Sequence, residues 1–240
     1  VMAYTNSPLV SYTKLSPNHS GQRTHSIDRI TPHCVVGQCS METLGNVFLP
    51  ASRQASSNYG IGVDGRVGMY VEEKNRSWCS SSASNDQRAV TIECASDSKA
   101  PYAFKDVVYQ RLIELCADIC KRNGKTKLLW LGDKTKTLGY TPAPDEMVLT
   151  VHRWFANKSC PGDWMYARMG DLAEKVTAAL GGQAQAPLDN APAAWSKDAV
   201  NWALENRLLL GDSNGNLKLR ENLTREQFCV MLKRYHDMLQ

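Results

Sequence analysis

The chain has 240 residues, a net charge of +4, and 42% hydrophobic and 22% charged residues, enough apolar content for one substantial domain and something smaller. It holds no uninterrupted apolar run of about 18 residues, which excludes a membrane-spanning helix, and no lysine or arginine block, which argues against nucleic acid as a partner. Its eight cysteines read as free thiols rather than a disulfide framework, because residues 1–8 have neither the basic start nor the apolar stretch of a secretory signal.

Residues 23–180 alternate strand-like and helix-like stretches, which predicts an α/β unit with a central mixed sheet flanked by helices. Ile30-Thr31-Pro32-His33-Cys34-Val35-Val36-Gly37 reads as an apolar strand ending in glycine. Residues 58–63 and 64–71 read as two strands joined at Asp64-Gly65, a strong hairpin signal, and residues 89–94 as a third strand. Phe104, Val108, Leu112, Leu115 and Ile119 recur at helical spacing, so a helix over 104–122 lays one face on the sheet and stops at Asn123-Gly124. Cys116 and Cys120 fall within it as small buried residues. His152 sits at the end of a further strand, Cys160 lies in the loop that follows, and a last helix begins near Asp163 as N-cap, with Met165, Met169, Leu172, Val176 and Leu180 inward.

Composition then changes. Residues 181–193 are poor in large apolar side chains and contain two prolines, the signature of a linker. Residues 194–240 read as a small all-α module: a helix over 195–207, a turn over 211–216, and a helix opened by the capping box Thr224-Arg225-Glu226-Gln227. Fewer than about 50 residues rarely bury enough surface to stand alone, so this unit is expected to pack against something.

Three residues carry the most chemistry. Two imidazoles, His33 and His152, with the thiolate of Cys160 suit zinc, a borderline-soft ion, and leave a fourth coordination position open, as catalytic sites do. The eight-residue step from His152 to Cys160 is long enough for a loop to turn back to one ion. Lys158, two residues before Cys160, would bring a fixed positive charge to the rim.

The strand histidine, a tyrosine (Tyr59) placed ahead of Asp64-Gly65, the Ile92-Glu93 strand and a final pair of His152 and Cys160 with Lys158 between them together resemble the type 2 N-acetylmuramoyl-L-alanine amidases, which include phage lysins and relatives of peptidoglycan-recognition proteins. The resemblance covers residues 23–180. It implies Zn2+ held by His33, His152 and Cys160, and hydrolysis of the amide between N-acetylmuramic acid and L-alanine in bacterial peptidoglycan. It further implies that Tyr59 lies near the ion, that Lys158 stabilises an oxyanion, and that Glu93 is the general base or a partner to a histidine ligand. The family often has a Trp-His pair after its hairpin. Here the pair is Trp78-Cys79, and Cys79 is expected to be packing. Residues 128–145 are expected to line the substrate groove, with Trp130 or Trp154 stacking on sugar or peptide.

The tail resembles a surface-layer homology module through Ala199-Val200-Asn201-Trp202-Ala203, Leu210-Gly211-Asp212 with Gly215, and Leu223-Thr224-Arg225-Glu226. Such modules occur in threes and bind secondary wall polymers. A single copy points instead to pooling of modules in a homo-oligomer. The resemblances together imply an endolysin made in the host cytoplasm and acting at the cell wall after release. The rival expectation is a peptidoglycan-binding protein without catalysis. Cys160 separates the two, since binding-only relatives lack that ligand.

Overall fold

A computed structural model of the chain describes residues 4–181, 189–211 and 216–239. The strands are β1 (Val10–Thr13), β2 (His19–Gln22), β3 (Arg29–Cys34), β4 (Tyr59–Ile61), β5 (Val67–Met69), β6 (Asn75–Ser77), β7 (Ala89–Cys94), β8 (Lys127–Leu129) and β9 (Glu146–Leu149). The helices are α1 (Met41–Phe48), α2 (Ala83–Arg88), α3 (Asp106–Arg122), α4 (Lys134–Gly139), α5 (Asp163–Tyr166), α6 (Met169–Ala179), α7 (Lys197–Glu205) and α8 (Arg225–Met238). The chain divides into two compact units, Val1–Ala184 and Gln185–Gln240.

In the first unit a seven-stranded sheet runs β1-β5-β4-β7-β3-β9-β8, antiparallel at β4/β5 and parallel at its other pairings, with β2 and β6 as a separate antiparallel pair. This is the mixed, helix-flanked sheet that the alternating pattern predicts. The central strands β3 and β7 are buried at every position except Glu93, and their polar residues Thr31, His33, Thr91 and Glu93 share the face opposite the main core. On one face Tyr59, Val90 and Ile92 join Val108, Leu112 and Ile119 of α3 and Met169, Leu172 and Val176 of α6 in the main core. On the other face lies α1. A Cβ on Gly60 would come within 2.6 Å of Leu44 Cδ2, so the absent side chain is what admits that helix.

The predicted hairpin is present as β4 and β5, with Gly65 at φ +80° in its turn. The predicted helix near Asp163 is two, α5 and α6, and its cap differs from expectation. Gly162, at φ +84°, holds the N-cap position, while Asp163 sits in the first turn with its carboxylate 2.9 Å from Arg153 Nη2. A side chain committed to that ion pair is not free to cap. Cys116 and Cys120 are fully buried and unpaired, and all eight cysteines are free.

In the second unit a one-turn 3-10 helix, Ala194–Ser196, precedes α7 where a single helix is expected over 195–207. Both capping-box bonds of α8 form, Gln227 N to Thr224 Oγ1 and Thr224 N to Gln227 Oε1. Residues 182–188 of the expected linker and 212–215 of the expected turn lie outside the described residues. The α7 and α8 helices bury none of their residues fully, and Trp195, Trp202, Phe228 and Leu232 are exposed.

Candidate metal centre

Six in-register pairs join β3 to β7, and one of them is His33 opposite Glu93. Paired positions of neighbouring strands point to the same face and successive positions to opposite faces. His33 and Glu93 therefore share the α1 face at the C-terminal end of two parallel strands, where α/β sheets hold their ligands. Tyr59 pairs with Ile92, one step earlier on β7, and so points to the opposite face. There its hydroxyl donates to Glu73 Oε1 at 2.7 Å and accepts from Ser7 N at 2.8 Å, and Arg122 closes the network through Glu73. Burial, then the Glu73 carboxylate, pushes the phenol far above its ordinary range. Tyr59 is a core residue that fastens the N-terminal segment to α3, which corrects its expected place beside the ion.

His152 follows β9 on a single 3-10 turn. Arg153 N donates to Cys160 O at 3.0 Å, which folds the loop back and returns Cys160 to the level of His152. Cys160 Sγ lies 3.3 Å from His33 Nδ1, the two imidazole centroids are 5.1 Å apart, and one ligand atom from each of the three residues falls within 4.8 Å of the others. The trio expected from residue types alone is thus gathered at one point by three separate elements.

Sequence reading missed the segment that braces this point. After β6, Asp86 of α2 accepts bonds from Cys79 N, Ser80 N and Ser80 Oγ, which pins the loop over residues 79–82. From the pinned loop Ser81, held at φ +62°, places its Oγ 3.0 Å from His152 Nε2, which leaves Nδ1 as the ring nitrogen free for an ion. Cys79, expected to be packing, points its thiol at Glu93 Oε1, 3.7 Å away. His33, Cys79 and Glu93 form a second trio whose ligand atoms also lie within 4.8 Å of one another. No spacing signal marks Ser81 or Cys79, because neither belongs to a periodic element.

The electrostatics suit a cation. Burial, with His152 alongside, holds the His33 imidazole well below its usual range, and burial and then Lys158 lower His152, so both rings are neutral and able to ligate at neutral pH. His33 Nε2 and Glu93 Oε2 are buried without a partner among the described residues. Burial pushes the Glu93 carboxyl up to about 8, with the bond from Cys79 opposing that shift. The Cys160 thiol is raised by its hydrogen bond with Cys34, by burial and by Glu93. Two neutral imidazoles and a thiol that an ion would deprotonate fit zinc, with one coordination position left over. The second trio is the weaker donor set, since its thiol is already bonded to its carboxylate.

A cleft of about 610 Å³ opens over this point, lined by Phe48, Arg53, Trp78, Cys79, Glu93, His152 and Lys158 among others. Lys158 is exposed on its rim. Trp130 and Trp154, expected to meet substrate, stack on each other with centroids 5.2 Å apart, and Trp154 is buried.

The family model described as N-acetylmuramoyl-L-alanine amidase matches residues 20–163. Among solved structures the chain is similar to a selenomethionine derivative of AmpD, with 17% identity, a TM-score of 0.50, and coverage of 72% of this chain and 99% of that one. It is also similar to the PlyG catalytic domain, with 12% identity, a TM-score of 0.48 and coverage of 76% and 98%. A third is the endolysin N-acetylmuramoyl-L-alanine amidase LysCS from Clostridium intestinale URNW, with 13% identity, a TM-score of 0.43 and coverage of 71% and 98%. The AmpD likeness shows the shared fold. No curated protein matches the chain.

Because Tyr59 serves the core, Tyr59→Phe should leave Ser7 N without its acceptor and Glu73 Oε1 with Arg122 alone, and cost about 1–3 kcal/mol of stability. Zinc content should be unchanged. Urea unfolding and metal analysis of the purified variant check both, and loss of zinc would return Tyr59 to the site.

Proposed function

The chain belongs to the N-acetylmuramoyl-L-alanine amidase family, and we propose from that membership that it is a zinc-dependent hydrolase of the amide between N-acetylmuramic acid and L-alanine in bacterial peptidoglycan. The observation that carries the reading is the convergence of His33, His152 and Cys160 within 4.8 Å, beside a carboxylate with one unpartnered oxygen. His33, His152 and Cys160 would hold the ion. When bound, zinc supplies Lewis-acid polarisation of the scissile carbonyl.

The remaining work falls to side chains. Glu93 Oε2, buried and free, takes the proton of the attacking water as the new C–O bond forms, and returns it to the alanine nitrogen as the C–N bond breaks. Cys79 holds the other oxygen, Oε1, so the carboxylate presents one fixed basic atom. Lys158, on the rim, supplies positive charge where the tetrahedral oxyanion develops. Ser81 keeps the His152 ring in one orientation. Burial alone favours the protonated Glu93 carboxyl, and an ion held by the neighbouring trio would favour the carboxylate, the form that accepts the proton.

The rival reading, a peptidoglycan-binding protein without catalysis, has no use for a complete set of ligands and an adjacent base. Cys160 within the trio favours the enzyme.

For the second unit we propose a wall-associated role reached through self-association. Exposed Trp202, Phe228 and Leu232 leave apolar surface for another copy, and several linked catalytic units would raise the effective concentration at the wall. A secondary wall polymer is the other ligand that its surface-layer resemblance implies.

Digestion of purified cell walls should release a new L-alanine amine, identified by mass spectrometry, and chelation should abolish its appearance. Cys160→Ser should lose both zinc and hydrolysis while keeping its fold, and an unchanged lysis rate would sink the zinc assignment. Glu93→Ala should slow turnover by about 10²–10⁴-fold with zinc retained; a fall in zinc content would make Glu93 a partner of the ligands instead of the base. By sedimentation the full chain should run as a multiple of 26.7 kDa and Phe228→Asp as the monomer, and a monomeric parent would remove the self-association proposal.

A further inference from the structure

His33 belongs to two donor sets. One is the trio with His152 and Cys160, and the other joins His33 to Cys79 and Glu93, whose ligand atoms also lie within 4.8 Å of one another. An imidazole has two nitrogens on separate edges of its ring, so one residue can serve both sets. Nδ1 lies 3.3 Å from Cys160 Sγ, on the side of the first trio. Nε2 is left over. It is buried without a partner among the described residues, and so is Glu93 Oε2.

Buried polar atoms are nearly always satisfied, so two orphans on residues paired in register point to a missing common partner. The third member of the set decides what kind. A thiol is a weak hydrogen-bond donor to a bridging water but a strong ligand for soft and borderline cations. Nitrogen, oxygen and sulfur donors together suit zinc, and a thiolate and a carboxylate balance its charge. The donors are also held ready and within reach. Asp86 pins Cys79 through its backbone N–H, the Cys79 thiol lies 3.7 Å from Glu93 Oε1, and both residues line the cleft through which an ion can enter.

We propose that His33 Nε2, Cys79 Sγ and Glu93 form a second cation site, for zinc or an ion of similar softness, and that filling it inhibits the enzyme. As the hydrated ion arrives, bonds from Nε2, Sγ and a carboxylate oxygen replace bound waters, the Nε2 and thiol protons pass to solvent, and no electrons are transferred. Loss of the Nε2 proton leaves His33 bridging two ions, a cost that makes this site fill only after the first. Glu93, engaged by the second ion, no longer accepts a proton from the attacking water. The binding half stands on the donor geometry alone. The inhibition half rests on the amidase reading.

The test keeps the halves apart. The holoprotein, dialysed to one equivalent of zinc, is titrated with further zinc, and bound metal is counted after equilibrium dialysis. The parent should take up a second equivalent, and Cys79→Ala should bind it at least about 10²-fold more weakly, beyond what loss of an outer partner of a ligand causes. Cadmium added to the same zinc-loaded proteins should give a thiolate charge-transfer band that is larger in the parent by one thiolate, since the other seven of its eight cysteines are common to both. Cys79→Ser, which keeps the size of the side chain, repeats both measurements if alanine disturbs the fold. A parent that stops at one equivalent overturns the site, as does a second equivalent that survives these substitutions. Cleavage of the muramoyl peptide is followed across the same titration, each protein against its own rate at one equivalent. Filling the second site should slow the parent by about 10²-fold or more, the contribution of its general base, and the midpoint should move upward in Cys79→Ala. A second ion bound through Cys79 in a protein that cleaves nothing at any zinc level keeps the site and removes the amidase reading; cleavage that the second ion leaves untouched removes the inhibition and keeps that reading.

Discussion

The parallel register between β3 and β7 is the constraint on which the rest of the site depends. Six consecutive pairs fix His33 opposite Glu93, and the pleat sends both side chains to one face. A slip of one residue would turn the imidazole or the carboxylate into the core and bring an apolar side chain to the cleft. The register is protected by what lies behind it: Ile30, Val90 and Ile92 fit against α3 and α6 in one packed core, and exposing them would cost about 1.5–3 kcal/mol each. Chemistry on one face is held in place by hydrophobic packing on the other.

Around that frame, polar side chains transmit position. Asn85 bonds Thr31 of β3, Thr150 beyond β9 and Ser80 of the bracing loop, so one amide ties together three segments that carry site residues. Asp86 does the same within the loop itself. Such interior polar groups are costly when unsatisfied and specific when satisfied, which makes them suited to fixing geometry. The loop they hold orients His152 through Ser81 and Glu93 through Cys79.

Much of this was legible in the chain. Apolar runs with helical and strand spacing reveal a mixed, flanked sheet, the Asp64-Gly65 turn reveals its hairpin, and the residue types of His33, His152 and Cys160 are those that suit zinc. Periodic patterns report burial, and ligand chemistry is a property of the side chain alone, so neither needs a partner to be read. Ser81 and Asp86 were not legible, and Cys79 was read as packing although its thiol meets Glu93. They act from an irregular loop, and their meaning lies in contacts with residues that the sequence does not mark as neighbours. Asp163 looked like a cap because its type favours caps. It lost that place to Gly162 once Arg153 was near enough to claim its carboxylate.

Tyr59 marks the boundary most clearly. Its type and its position ahead of Asp64-Gly65 are facts of sequence, and they identify a strand. Which side of the sheet the phenol meets depends on the parity of its pairing with β7, and parity is set only when the strands assemble. Paired with Ile92 it belongs to the core; one position further, opposite Glu93, stands Gly60. The sequence by itself determined the elements, their buried faces and the ligand types, because these follow from local spacing and side-chain chemistry. The tertiary structure alone decided which of the candidates meet at the candidate metal centre, because a side chain's direction in a sheet alternates at each residue and is fixed by the neighbouring strand.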